Sequence, residues 1–177
     1  MATSLPETQP SKPLVYPTNA THRVREMIVR FRSRRLPLGV EGRAGHPRQA
    51  ARLAAALLAN LTVEHLIVLH LDNRLNLIGY HTVAMGTSDS VGVHVREIYK
   101  AAILSNAASI IVAHNHLGAE ATPGEADRAF LVNLQQASKA IGVPLNDFLV
   151  VLDPAEGDGY FSFRTEEETQ KQQEAHS

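Results

Sequence analysis

Two histidines separated by one asparagine, His114 and His116, follow the apolar stretch "SIIVA", and Asp127 comes after ten further residues. A strand puts residues i and i+2 on one face, roughly 6.5–7 Å apart at Cα. At a strand's carboxyl end, both imidazoles therefore turn toward one point. Asp127 falls in the early turns of the helix expected next, from which its carboxylate can return over the histidines. Two imidazoles and one carboxylate suit Zn²⁺, one ion per chain, with the fourth position open for water as catalysis requires. Nine histidines in 177 residues give an H-x-H by chance roughly 0.4–0.5 times per chain, so that feature alone carries nothing. Requiring one of the six aspartates at the right offset lowers the expectation to roughly 0.015. The competing reading has the histidines capping a turn and Asp127 favouring a helix N-terminus.

The surrounding periodicities supply elements that position these groups. Residues 1–20, with four prolines, read as a flexible arm. From Thr21 to Arg35, Val24, Met27, Ile28 and Phe31 recur at helical spacing, and "LPLGVEGRAGHP" follows as a linker, so residues 21–46 form an N-terminal helix and linker. A helix from about Arg48 to Asn60 buries Leu53, Leu57, Leu58 and Leu61. "HLIVLHLD" and "LNLIGYHTVAMG" read as an antiparallel pair joined by "DNRLN". "SVGVHVREIYKAAILSNAA" reads as a helix with Val95, Ile98, Ala102 and Ile103 inward, and "SIIVA" is short enough for a buried strand.

Thr122 as N-cap, Pro123 at the first helical position and Glu125 as capping-box partner then open a helix to Ile141. Its inward face carries Ala126, Phe130, Leu134, Ala137 and Ile141, and Gly142 ends it. "DFLVVL" and "GYFSF" are the last strands, and residues 165–177 read as a disordered polar tail. The order ααββαβαββ predicts a three-layer α/β/α domain over residues 47–164 around a mixed sheet.

Composition narrows the chemistry. The chain has no cysteine, which excludes disulfides, thiolate ligands and a cysteine nucleophile. The absence of a signal-like start or a bilayer-length apolar run leads us to expect a soluble cytoplasmic protein with no membrane association. The net charge of −1 divides unevenly: residues 21–52 hold nine arginines and two glutamates, a balance of +7, against −8 elsewhere. Arg30, Arg32, Arg34 and Arg35 are the candidate nucleic-acid contacts. With Phe31 assigned to a helix's apolar face, no aromatic platform accompanies the arginines, which favours a solvated face over a binding surface. Ser88, Ser90 and Ser105 lack a nucleophile-elbow setting and read as caps and turns, while His70 and His81 read as solvent-face or satisfied core residues.

The segments together resemble the JAB/MPN metalloprotein family of JAMM peptidases, and most closely its bacterial RadC-type branch. The blocks that carry the resemblance are "EHLIVLHLDNRLNLIG", "VAMGTSDSVGVHVREIYKAAILSNAASIIVAHNH", "IGVPLNDFLVV" and "YFSF", spanning about Val63 to Phe163. The resemblance implies an architecture like that of cytidine deaminases, with His114, His116 and Asp127 as metal ligands. It also implies that Glu64 accepts a proton from the metal-activated water and passes it to the leaving amine.

The sequence departs from the family pattern at several points. The motif serine after seven further residues is Gly124, "HNHPSG" becomes "HNHLGA", the Asp-His pair becomes Asp147-Phe148, and His94 replaces a proline. Three functions compete: a zinc metallopeptidase or isopeptidase acting on a protein or peptide substrate, a DNA-repair-associated protein or metal-dependent nuclease, and a non-catalytic metal-binding module. A homodimer is compatible with each.

Overall fold

The computed structural model describes residues 28–37, 39–85, 93–118, 120–153 and 159–175. The chain divides into two units, Met1–Arg32 and Ser33–Ser177. The arm, the first part of the expected first helix and the "GTSDSVG" segment lie outside the described residues. Where residues 28–35 are described, they form no helix, which corrects the helix expected through Arg35. Ile28 and Phe31 stay 69% and 72% exposed, and an amphipathic helix this short is not stable unless its apolar face is buried.

The second unit is built on a five-stranded sheet in the order β2-β1-β3-β4-β5, with β1 His65–Leu71, β2 Leu77–Met85, β3 Ser109–Asn115, β4 Leu145–Val151 and β5 Tyr160–Ser162. Only β3 and β4 run parallel, connected through α3 (Glu125–Ile141), so the sheet is mixed as expected. β1 and β3 are buried almost throughout because they are central and covered on both faces.

On one face Ile67, Leu69, Leu71, Ile111, Ala113, Leu149 and Val151 meet α1 (Pro47–Leu58). Helix α1 starts where His46 accepts the Arg48 N–H and Gln49 accepts the His46 N–H, with Pro47 in the first turn. Its Leu53 and Leu58 are fully covered, while Leu57 and Leu61 pack at the edge.

On the other face Leu66, Val68, Ile110, Val112 and Phe148 meet α2 (Val95–Leu104), α3 and α4 (Phe163–Glu174). Three layers result. Each fully buried Leu or Ile side chain contributes roughly 1.5–3 kcal/mol of transfer free energy. Among the described residues no helix is long and apolar enough to cross a membrane.

Four local expectations are corrected. Ile103 is 53% exposed, because Tyr99 and not Ile103 fills the inward position beside Ile98 and Ala102. Ile141, in the last turn of α3, is 40% exposed. Helix α3 begins two residues later than predicted, with Gly124 as N-cap in place of Thr122, because the Asp127 carboxylate accepts the Gly124 N–H at 2.9 Å.

Finally, residues expected as a disordered tail from 165 form α4 through Glu174. Its composition is polar, but its start is tied down. Phe163 stacks on Phe148 at 5.2 Å, and Ser162 Oγ accepts the Thr165 N–H and donates to Asp147. The Arg128 guanidinium grips Glu166 through two bonds of 2.8 and 3.0 Å. Burial pushes the Asp147 carboxyl up to about 6, against the lowering effect of the Ser162 and Arg164 donors.

Candidate metal centre

Strand β3 ends on the face shared by α2, α3 and α4, and alternation brings His114 and His116 to that face. The Asp127 carboxylate approaches from the first turn of α3. Its Oδ1 lies 3.4 Å from His114 Nε2 and its Oδ2 lies 4.0 Å from His116 Nε2. One ligand-capable atom from each of the three residues lies within 4.8 Å of the others. The structure thus brings together the three residues expected as ligands.

Neighbouring groups fix each member. The His114 ring stacks on Phe148 with centroids 5.4 Å apart and meets His116 edge-on at 4.8 Å. His116 Nδ1 faces the Glu120 carbonyl at 3.4 Å, and a carbonyl can only accept, so the proton sits on Nδ1 and Nε2 is left as the free lone pair. The backbone N–H of His116 donates to Val151 O at 3.0 Å, which anchors the residue after β3 ends. Asp127 is held by the Gly124 N–H, so the helix start and the carboxylate position form one feature.

These residues fit a metal ion on an observation of their own. Among the described residues, the buried His114 Nε2 has no hydrogen-bond partner, a costly arrangement for a polar atom unless something else engages its lone pair. Burial pushes the His114 imidazole down to about 4, opposed by the Asp127 carboxylate and reinforced by His116. The ring is therefore neutral at physiological pH, the form that ligates.

Glu64 is half-buried immediately before β1. It lies two residues before Leu66, which pairs with His114 at the end of the β1–β3 ladder. A residue that the sequence did not single out holds this edge. Asn115, 2% exposed, accepts the His65 N–H at 2.7 Å and donates to Val63 O at 3.4 Å, clasping the backbone on both sides of Glu64. Its type between two histidines was the available signal, because a buried amide needs partners for both donor and acceptor.

Gly124 has an extended backbone, φ −79° and ψ 175°, which any residue adopts. A Cβ there would lie 3.7 Å from Asp127 Oδ2, an ordinary contact. Position 148 is taken by the phenyl ring that backs His114. His94 is the exposed N-cap of α2 and makes no side-chain capping bond.

Arg30, Arg32, Arg34 and Arg35 are exposed, and the Arg34 guanidinium donates to the Tyr80 hydroxyl. The other histidine pair is a satisfied core group. His70 Nε2 lies 2.9 Å from His81 Nδ1, His70 Nδ1 lies 2.8 Å from Ser105 Oγ, and His81 Nε2 lies 3.1 Å from Glu97 O.

A family model described as a RadC-like JAB domain matches residues 44–169. A UPF0758 protein of Thermotoga maritima is 43% identical over 101 residues, covering 57% of this chain and 44% of that protein. One from Bordetella petrii is 40% identical over 105 residues, covering 59% and 47%. One from Actinobacillus pleuropneumoniae is 37% identical over 142 residues, covering 80% and 62%. The chain spans about half the length of the curated relatives it matches. The matched residues contain the whole sheet and all three converging side chains, and the chain belongs to the RadC-like JAB domain family.

Proposed function

We propose that His114, His116 and Asp127 hold one zinc ion and that the chain is an amide-bond hydrolase of the metallopeptidase or isopeptidase type. The unpartnered, buried His114 Nε2, aimed at the same point as His116 and Asp127, carries this reading. Zinc in such a donor set acts as a Lewis acid and lowers the pKa of water toward neutrality.

The chain's own residues do the rest. His114 and His116 present neutral nitrogens, and Asp127 supplies the negative charge and is oriented by the Gly124 N–H. A Glu64 carboxylate oxygen takes the proton from the attacking water and delivers it to the leaving nitrogen. Asn115 keeps Glu64 at that edge by fixing Val63 and His65. Phe148 and its neighbours keep water away from the rear of His114.

The test compares wild type with Glu64→Gln, measuring zinc content and hydrolysis of a fluorogenic isopeptide panel on the same preparations. Glu64→Gln should keep its zinc and lose turnover by about 10²-fold or more. A Glu64→Gln variant as fast as wild type would remove the base assignment.

A second reading, a metal-binding module without turnover, is favoured by Gly124, where the family's serine hydroxyl is absent. It expects no hydrolysis by wild type on any substrate, with zinc fully bound. A DNA-associated role rests on the exposed Arg30, Arg32 and Arg35. It expects salt-dependent duplex binding that disappears when those arginines and Arg34 are replaced together.

A further inference from the structure

On the opposite side of the sheet from the histidines, α1 and the β4–β5 edge enclose a cavity of about 600 Å³. That is the size of pockets that take small organic ligands. Three arginines, Arg43, Arg48 and Arg52, and one acidic residue, Glu41, are among the residues that line it. Among the described residues, none of the three arginines has a carboxylate within ion-pair distance. Arg48 and Arg52 are four residues apart on α1 and so share a face of the helix. Arg48 stands in the first turn, at the helix's positive end, and that turn contains no acidic residue. Three arginines against one carboxylate around a concavity favour an anion.

The fold also supplies what the Arg-rich stretch lacks. Tyr160 of β5, more than a hundred residues from α1 in sequence, lines the same cavity and is half-buried. Gln49 adds an amide to the wall. Ala51 and Ala55 form its α1 side, and their small side chains leave the space open where leucines would fill it.

The remaining wall is built in advance. Val40 N–H bonds Pro37 O across a turn in which Gly39 takes φ +81°, a left-handed conformation that suits glycine. Leu77 N–H to Gly42 O and Ala44 N–H to Leu75 O then clamp the segment bearing Arg43 to the β1–β2 turn. Preformed walls reduce the ordering cost of binding.

We propose that this cavity binds a small organic phosphate carrying a planar ring, of the nucleoside monophosphate class. Guanidinium forks match phosphate oxygens in pairs, and three of them exceed what a single carboxylate would use. Inorganic phosphate alone would leave most of about 600 Å³ unfilled. The Tyr160 ring provides the apolar, stacking surface for the remainder. The cavity is separate from the metal centre, because α1 packs on the face that carries Ala113 and Val151 while His114 and His116 point to the other.

The experiment is calorimetric titration of the full chain with AMP, adenosine and inorganic phosphate, each with wild type, Arg48→Gln/Arg52→Gln and Tyr160→Leu. AMP should bind wild type saturably at one site, about tenfold or more tighter than either adenosine or inorganic phosphate. The arginine variant, altered at two exposed positions, should melt like wild type and bind AMP about tenfold or more weakly. Tyr160→Leu should weaken AMP while leaving inorganic phosphate unchanged. Zinc content should be the same in all three proteins. The proposal is overturned by no saturable AMP binding at about 1 mM, by equal binding to the arginine variant, or by inorganic phosphate binding as tightly as AMP.

Discussion

At the scale of single residues, the candidate metal centre depends on small side-chain details that His114, His116 and Asp127 do not themselves reveal. Gly124 is the sharpest departure from the family pattern, yet its extended backbone and the 3.7 Å clearance to Asp127 admit a serine without rearrangement. Gly124→Ser should therefore change stability by no more than about 0.5 kcal/mol and leave zinc content untouched. If the missing hydroxyl is the defect, the rate on a fluorogenic isopeptide should rise by about 10²–10³. An unchanged rate with zinc bound would assign the deficit elsewhere. Asn115→Ala should cost about 1–3 kcal/mol, read from urea unfolding, because it strips two backbone partners at a buried edge. It should also lower turnover more than it lowers zinc content, since it loosens the flanks of Glu64 and not the ligands. The convergence of His114, His116 and Asp127 was legible in the sequence because strand alternation and a fixed offset determine where three side chains can meet. The clasp by Asn115 was not, because it joins β3 to Val63 and His65, some fifty residues earlier.

At the scale of elements, the strands and α1 follow from local patterns, whereas the starts of α3 and α4 were decided by particular side-chain bonds. The predicted cap at Thr122 gave way because Asp127 captures the Gly124 N–H, and a motif read along the chain does not weigh a carboxylate with a second task. Helix α4 escaped notice because only Phe163 supplies an apolar anchor; its other attachments run to Arg128, Gln135 and Asp147. Asp147→Ala should speed hydrogen exchange at the start of α4 while leaving β1 and β3 protected.

The His70–His81 pair adds a dependence on pH. The Glu97 carbonyl can only accept, so His81 Nε2 donates to it, while His81 Nδ1 bonds His70 Nε2 and His70 Nδ1 bonds the Ser105 hydroxyl, which itself donates to Ala102 O. Burial pushes His70 down to about 4, helped by His81, and burial likewise lowers His81. The stabilisation is complete above about pH 6.5 and is lost as pH falls from there toward 4. His70→Gln should lose about 1–2 kcal/mol at about pH 7.5 and show a smaller loss between there and about pH 5 than wild type, as followed by urea midpoints. An identical pH slope would show that the pair does not titrate with folding.

At the scale of the whole molecule, the sheet separates two sites with different chemistry. One face gathers two imidazoles and a carboxylate, a donor set suited to a cation. The other gathers arginines and a tyrosine around a cavity, a lining suited to an anion. The three-layer plan was legible because the strand and helix periods alternate along the chain, but the arginine cavity was not. Its parts come from α1, the preceding segment and β5, and only closure of the sheet brings Tyr160 to Arg48 and Arg52. A metal bound to the folded state alone stabilises it by mass action, about 2.7 kcal/mol at a free concentration one hundred times Kd. The most direct test is zinc stoichiometry by mass spectrometry on wild type and His114→Ala after both have been supplied with zinc and freed of excess. The expected result is one zinc per wild-type chain and almost none on His114→Ala. Wild type that retains no zinc, or a variant that retains as much as wild type, would contradict it.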